Sequence, residues 1–426
     1  MSHRTPTARA TNLLALGLTL LTTTGCWDDS LLGADPTERV SVVEDPVLLD
    51  GRIEHMDLRL EIEDPSPLPS AALVTGIPGP SAAPAEPVLM KLIAEVDSPE
   101  LDGVMLQATH VAMKGKKAYV SYNVQGSTQK GAIDAFDDMN ESAPVLTSSV
   151  RLHDADVSSV AYESKKVYVA TGAVEGSFPT TAVLEVVRLR DGDRRFEPTT
   201  DRIELPSFVG TGVTIFKDLV YVTSGDGGPV PGGLSVFDEK TLELVAEDRF
   251  PDARAVSADG DWVVALRGSP AELRVYDKDD GNLVRVIPVG GAMTPDSKSG
   301  LAIDKDVAVV AVGEAGIRVV DLETGAILGE MPVPDISGLN PADVVANGVA
   351  VHKDLIFVAL GAGGLWAIRA ADKIKDLADL RDPDLQWAGR VGFPDATSVN
   401  FVAADKDRLF VAGGNGGLKI IAFDAG

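Results

Sequence analysis

The sequence predicts an all-β chain whose main body is a seven-bladed β-propeller, closed by a strand borrowed from its own front end. Three observations predict it. A short apolar run ending in a small residue recurs seven times, further strand-like runs flank each recurrence, and the last repeat stops one strand short while an unclaimed strand-like run precedes the first. The recurring runs are Ala118-Tyr119-Val120-Ser121, Val167-Tyr168-Val169-Ala170, Val220-Tyr221-Val222-Thr223, Val263-Val264-Ala265, Ala308-Val309-Val310-Ala311, Ile356-Phe357-Val358-Ala359 and Leu409-Phe410-Val411-Ala412. From Tyr119 to Phe410 six intervals cover 291 residues, about 48 each. A fixed period of that length marks a propeller or a solenoid, and a solenoid would need capping repeats that the ends do not show.

Composition bounds the function. Of 426 residues 45% are hydrophobic and 24% charged, with 42 Gly and 26 Pro, which describes a turn-rich globular chain. Sixty-four acids against 38 Lys and Arg give a net charge of −26, so phosphate backbones are repelled and nucleic acid is not an expected partner. A single Cys excludes an internal disulfide or a thiolate-rich zinc site, and five His are too few for a His-rich centre.

Taken in chain order, residues 1–25 read as an export signal. Arg4 and Arg9 form a basic start, Leu13 to Leu21 an apolar stretch too short for a stable membrane span, and Thr23-Thr24-Gly25-Cys26 a small-residue cleavage site. This segment resembles the lipobox of bacterial lipoproteins, with Thr23 where Leu is usual; the resemblance implies that Cys26 is lipidated and anchors the chain in a membrane. The other reading is a free Cys after an ordinary signal peptide. Trp27, rather than Asp, after the Cys fits sorting to an outer membrane.

Residues 26–87 are expected to be a tether. From Trp27 to Asp64 there are twelve acids and three Arg, and only Leu58 to Glu63 alternates like a strand. Seven Pro then fall between residues 65 and 87, a composition that stays extended and lifts the body from the membrane.

The propeller itself is assigned to residues 88–426. Each repeat offers four short strands rich in β-branched residues and bounded by Gly, Pro and Asp, which is one blade. Third strands include Leu234-Ser235-Val236-Phe237-Asp238, Leu273-Arg274-Val275-Tyr276-Asp277 and Leu418-Lys419-Ile420-Ile421; fourth strands include Leu283 to Ile287 and Ala326 to Met331. The last blade lacks its fourth strand, and Val88 to Ile93 is expected to supply it beside residues 418–423. Such closure leaves only short, protected edges. In the insert Lys373 to Leu385, Ile374, Leu377 and Leu380 recur at helical spacing, so a short docked helix is expected.

Leu219 to Gly225 followed by Leu234 to Asp238 resembles the YVTN-type propeller repeat, and Ile317-Arg318-Val319-Val320-Asp321 resembles the LVIVD repeat of bacterial envelope proteins. The resemblance covers about residues 88–426 and implies a secreted or lipid-anchored propeller; fold alone does not set its function.

Ligands of propellers are expected at the central channel or on the face formed by the loops between blades and between second and third strands. The residues at the head of each first strand are mostly small, which crowding around one axis explains. His110, Arg254, Asn347 and Asn400 are the polar exceptions and the candidate ligand contacts. An Asp also precedes most first strands: Asp156, Asp252, Asp296, Asp343 and Asp395. These either form an acidic ring that attracts calcium or a basic peptide, or each serves its own turn. Asp277 to Asn282 is acid-dense but reads as a hairpin turn, and the Gly-rich loops at 361–364 and 413–417 read as tight turns rather than phosphate cradles. The leading functional expectation is a lipid-anchored, non-catalytic envelope module that binds a protein or glycan, helped by long loops in blades 1 to 3 (Asn123 to Lys130, Ala173 to Thr181, Asp226 to Gly232). The alternative is a metal-assisted hydrolase or lactonase with His110 or His153 as general base.

Overall fold

Seven antiparallel sheets, arranged as blades around a central axis, carry almost all of the regular structure. The computed structural model describes residues 39–63, 85–126, 128–139, 143–174, 179–225, 230–279, 281–291, 298–380, 383–393 and 398–424. The export signal, Cys26, Asp296 and Asp395 lie outside the described residues.

Burial explains why the repeat looks as it does. Second strands such as Val167 in Lys166–Ala173 and Val309 in Val307–Ala311 are covered on both faces, because each blade is sandwiched between two others, so they read as unbroken apolar runs. Fourth strands lie at the rim and alternate: in Leu244–Arg249 only every second residue is even half-buried. The core is accordingly divided. Seven apolar clusters are found among the described residues, each filling the gap between two neighbouring blades. Tyr119, Tyr168, Tyr221 and Phe410, all from second strands, are fully enclosed there.

The closing strand is where the sequence places it. β3, as numbered from the first described strand, spans Leu89–Val96 and pairs antiparallel with Leu418–Asp424, in the register Leu89↔Asp424 to Val96↔Leu418. Both chain ends of the propeller therefore share blade 7.

The segment before it differs from the expected tether. Val40–Val43 forms β1, Pro46–Asp50 a short helix α1 capped by the Asp45 carboxylate, and Ile53–Arg59 forms β2. β1 adds to the rim of blade 1, pairing Val40 with Leu152, and β2 adds to the rim of blade 7 beside β3. Glu63 then pairs with Arg390 on blade 6. Residues 39–63 are thus a strap around the rim, and they belong to the folded body that the sequence starts at residue 88. The Pro-rich stretch also has both flanks on blade 6, since the Ala85 amide donates to the Trp387 carbonyl at 2.7 Å. High acid content is compatible with these strands, because a fifth, outermost strand touches the blade by one edge and one face and needs few apolar residues.

Two arginines lock the strap. Asp134, Glu185, Ser235, Arg274, Arg318, Trp366 and Lys419 occupy one equivalent register position in the seven third strands. Asp134 and Glu185 are fully buried there. Arg52 of the strap reaches Asp134 at 2.6 Å, and Arg39 reaches Glu185 at 3.1 Å, where Arg202 also pairs at 3.2 Å. Burial would push Asp134 up, but the Arg52 guanidinium, together with Arg151 and the Ser149 hydroxyl, outweighs it and holds this carboxyl below the ordinary value.

The expected helix in blade 6 is shorter than its pattern. A 3-10 turn at Ile374–Asp376 runs into a single helical turn at Leu377–Leu380; Ile374 and Leu377 are buried, whereas Leu380 is 48% exposed. Two apolar anchors suffice to dock so short a piece.

Candidate functional site: the channel mouth

The first strands form the inner wall: Gln107–Lys114, Ala155–Glu163, Val209–Phe216, Ala253–Asp259, Leu301–Asp304, Gly348–His352 and Phe401–Asp405. Each lies against the first strand of the next blade, and the seventh lies against the first. They approach closely. A Cβ on Gly212 would sit 3.1 Å from the Ala255 Cα, and one on Gly300 would sit 3.2 Å from the Gly348 Cα, so crowding accounts for the small residues.

In blades 1 to 4 the head of the first strand carries a β-bulge, with Thr109, Ser158, Thr211 and Arg254 as the extra residues. A bulge breaks the ladder for one residue and re-aims its side chain. Thr109 donates to the Val157 carbonyl at 3.0 Å and Thr211 to that of Ala253 at 2.9 Å, each reaching the next blade. Blades 5 to 7 close differently: Gly313, Gly361 and Gly414, in the turns after their second strands, bridge to Ala346, Val399 and Ala108 at the next blade's entrance.

The wall encloses a cavity of about 1010 Å³. His110, Arg254, Asn347 and Asn400 all line it, together with Asp252 and Lys298. Their commitments differ. The Asn400 side-chain amide donates to the Ala108 carbonyl at 3.1 Å, and that of Asn347 donates to the Val399 carbonyl at 3.2 Å, so both Asn tie one blade to the next. Arg254 is clamped by its neighbour Asp252, Nε to Oδ1 at 2.7 Å. His110 stacks on Phe401, with ring centroids 3.9 Å apart, and its Nδ1 is enclosed without a hydrogen-bond partner. Burial, with the Lys298 charge adding to it, lowers this imidazole to about 3, so it is neutral.

The described acids do not share a site. Oδ1 of Asp156 accepts the Lys130 amide at 3.0 Å and the Val124 amide at 3.3 Å; burial raises this carboxyl to about 6. Asp252 faces Arg254, and Asp343 is exposed on the 3-10 turn Pro341–Asp343. Among the described residues no group of three His, Cys, Asp or Glu could hold a metal ion. His153 lies away from the channel, bridging Ser41 of the strap at 2.9 Å and Asp102 at 3.3 Å.

Sequence reasoning passed over Lys298. Its backbone amide donates to the Asn347 side chain at 3.3 Å, and burial lowers its ammonium to about 8 despite the Asp156 charge. The signal was present, since Lys298 stands directly before the small pair Ser299-Gly300 at the head of a first strand.

The channel mouth and the long loops belong to one face. In blade 1 the loop residues Val124 and Lys130 bond Asp156 at the entrance to blade 2, and in blade 2 the Val174 amide bonds the Asp154 carbonyl at 2.8 Å. Seven blades around such a channel define the class: a seven-bladed β-propeller. Solved structures agree on the fold. The structure of U3-55K aligns with TM-score 0.53 at 13% identity over 76% of this chain and 98% of that one. The WD40 repeats of RRP9 align with TM-score 0.54 at 13% identity over 77% and 98%. No protein-family model matches, and no curated protein matches either.

Proposed function

We propose that this chain is a lipid-anchored bacterial envelope protein of the YVTN/LVIVD-repeat kind, whose propeller is a non-catalytic binding or scaffold module for a protein or glycan. One observation carries the binding role: the described ends of the loops after the second strands of blades 1 to 3 lie beside the channel mouth, through Val124, Lys130, Val174 and Gly225, and Val174 and Val230 are 40% and 41% exposed. Recognition concentrates on loops held by a rigid scaffold, and here the scaffold is a closed ring. The lipobox-like Cys26 supports the anchor.

The test is site-specific photocrosslinking in cells. A crosslinker at position 174 or 230 is expected to capture the same partner, while one at Val284, 47% exposed on the rim of blade 4, captures none. A Cys26→Ser chain is expected to lose both its acyl label and the partner. Equal capture from all three positions, or none from the loops, would reject the assignment of this face.

A further inference from the structure

We propose that the channel mouth is a binding site for a small organic carboxylate, whose charged end pairs with the Lys298 ammonium. Three features point to it. The cavity of about 1010 Å³ is of the size that holds small organic ligands and reaches the recognition face. Lys298 lines it and has no carboxylate at ion-pair distance among the described residues; Asp156, the acid whose charge it feels, spends Oδ1 on two backbone amides. His110 lines the same cavity, and its Nδ1 is enclosed without a hydrogen-bond partner. A half-buried ammonium loses hydration that water no longer returns, and a bound anion restores it through a charge-assisted hydrogen bond.

The count of charges selects the ligand. Of the cationic side chains described on the cavity wall, Arg254 is already held by Asp252 and His110 is neutral, so among the described residues Lys298 offers a single positive charge. One charge matches a monocarboxylate end better than a phosphate dianion. The chain as a whole, at −26, repels anions, so binding here needs the local contact and does not follow from a general positive field.

Titration calorimetry on the purified full chain tests the site, with propionate, succinate and glucuronate as carboxylates, glucose as the uncharged counterpart of glucuronate, and inorganic phosphate. Glucuronate is expected to bind at one per chain and glucose not to bind. Lys298→Met should weaken glucuronate at least tenfold, and Lys298→Arg should retain it. Lysine acylation footprinting of the unaltered protein gives a readout free of folding effects: glucuronate, and not glucose, should slow modification of Lys298. The proposal fails if none of the three carboxylates binds, if glucose binds as well as glucuronate, if Lys298→Met changes nothing, or if phosphate binds more tightly than every carboxylate. Partner capture through positions 174 and 230 does not use Lys298, so that reading and this one stand or fall separately.

Discussion

At the scale of residues, His110 shows how a side chain chosen from the sequence acquires its chemistry from its surroundings. Its ordinary value of 6.5 falls to about 3 in the fold. The unfolded chain takes up this proton below pH 6.5 while the folded chain refuses it until about pH 3, so the residue costs stability increasingly as pH falls through that window. At pH 5 the cost is about 2 kcal/mol. Asp156 works in the opposite sense: its carboxyl is raised to about 6, so its contribution is present at acid pH and is lost as pH rises through 6. His110→Phe leaves Asp156 in place, and the ring retains the stack on Phe401. Denaturant melts at pH 5 and pH 7.5 should show the variant losing about 2 kcal/mol less than the parent on acidification. An identical pH dependence would mean that His110 is hydrated. His110, Arg254, Asn347 and Asn400 were legible as channel residues from their place in the repeat. Their commitments were not, because a carbonyl on the next blade or a clamping Asp two positions away has no separate trace in composition.

At the scale of elements, the Gly-rich turns of blades 5 to 7 show a sequence signal with a geometric cause. Gly316, Gly364 and Gly417 hold φ values of +83°, +84° and +68°. A Cβ on Gly364 would fall on the carbonyl oxygen of Val391, in the adjacent fourth strand. Gly364→Ala therefore combines a left-handed backbone with a backbone clash, and it should cost roughly 3 kcal/mol. Thermal melts of this variant beside Gly338→Ala, where φ is +85° but a Cβ meets nothing within 4 Å, separate the two effects. Equal losses in both would show that the carbonyl gives way. Turn chemistry of this kind is local, which is why residues 361–364 and 413–417 were readable as tight turns. The strap was not readable for the same reason in reverse. β2 is held by pairing with β3, and Arg52 by Asp134, which lies 82 positions further on.

At the scale of the whole molecule, closure has two layers. β3 completes blade 7, and the strap outside it binds blades 1, 2, 6 and 7. A chain beginning at residue 86 keeps β3 but removes Arg39 and Arg52, leaving Glu185 to Arg202 and Asp134 to Arg151 at 3.9 Å. Truncating one side of a buried ion pair is expensive, so this chain should unfold at least about 3 kcal/mol more easily than one beginning at residue 39, measured by urea denaturation. Asp134→Asn in the shorter chain should recover part of that loss. Unchanged stability would make the strap an ornament of the rim and return the start of the folded body to residue 88.

By itself the sequence determined the number of blades, the borrowed closing strand and the polar positions around the channel. All of these follow from periodicity and local backbone chemistry, and both repeat at fixed spacing along the chain. Tertiary structure alone decided that residues 39–63 are a strap, that Asp134 and Glu185 are buried against its arginines, and that Lys298 stands in the channel with Arg254 already taken. Those outcomes depend on which distant groups meet across blades, and electrostatic pairing at contact leaves no period for a sequence to display.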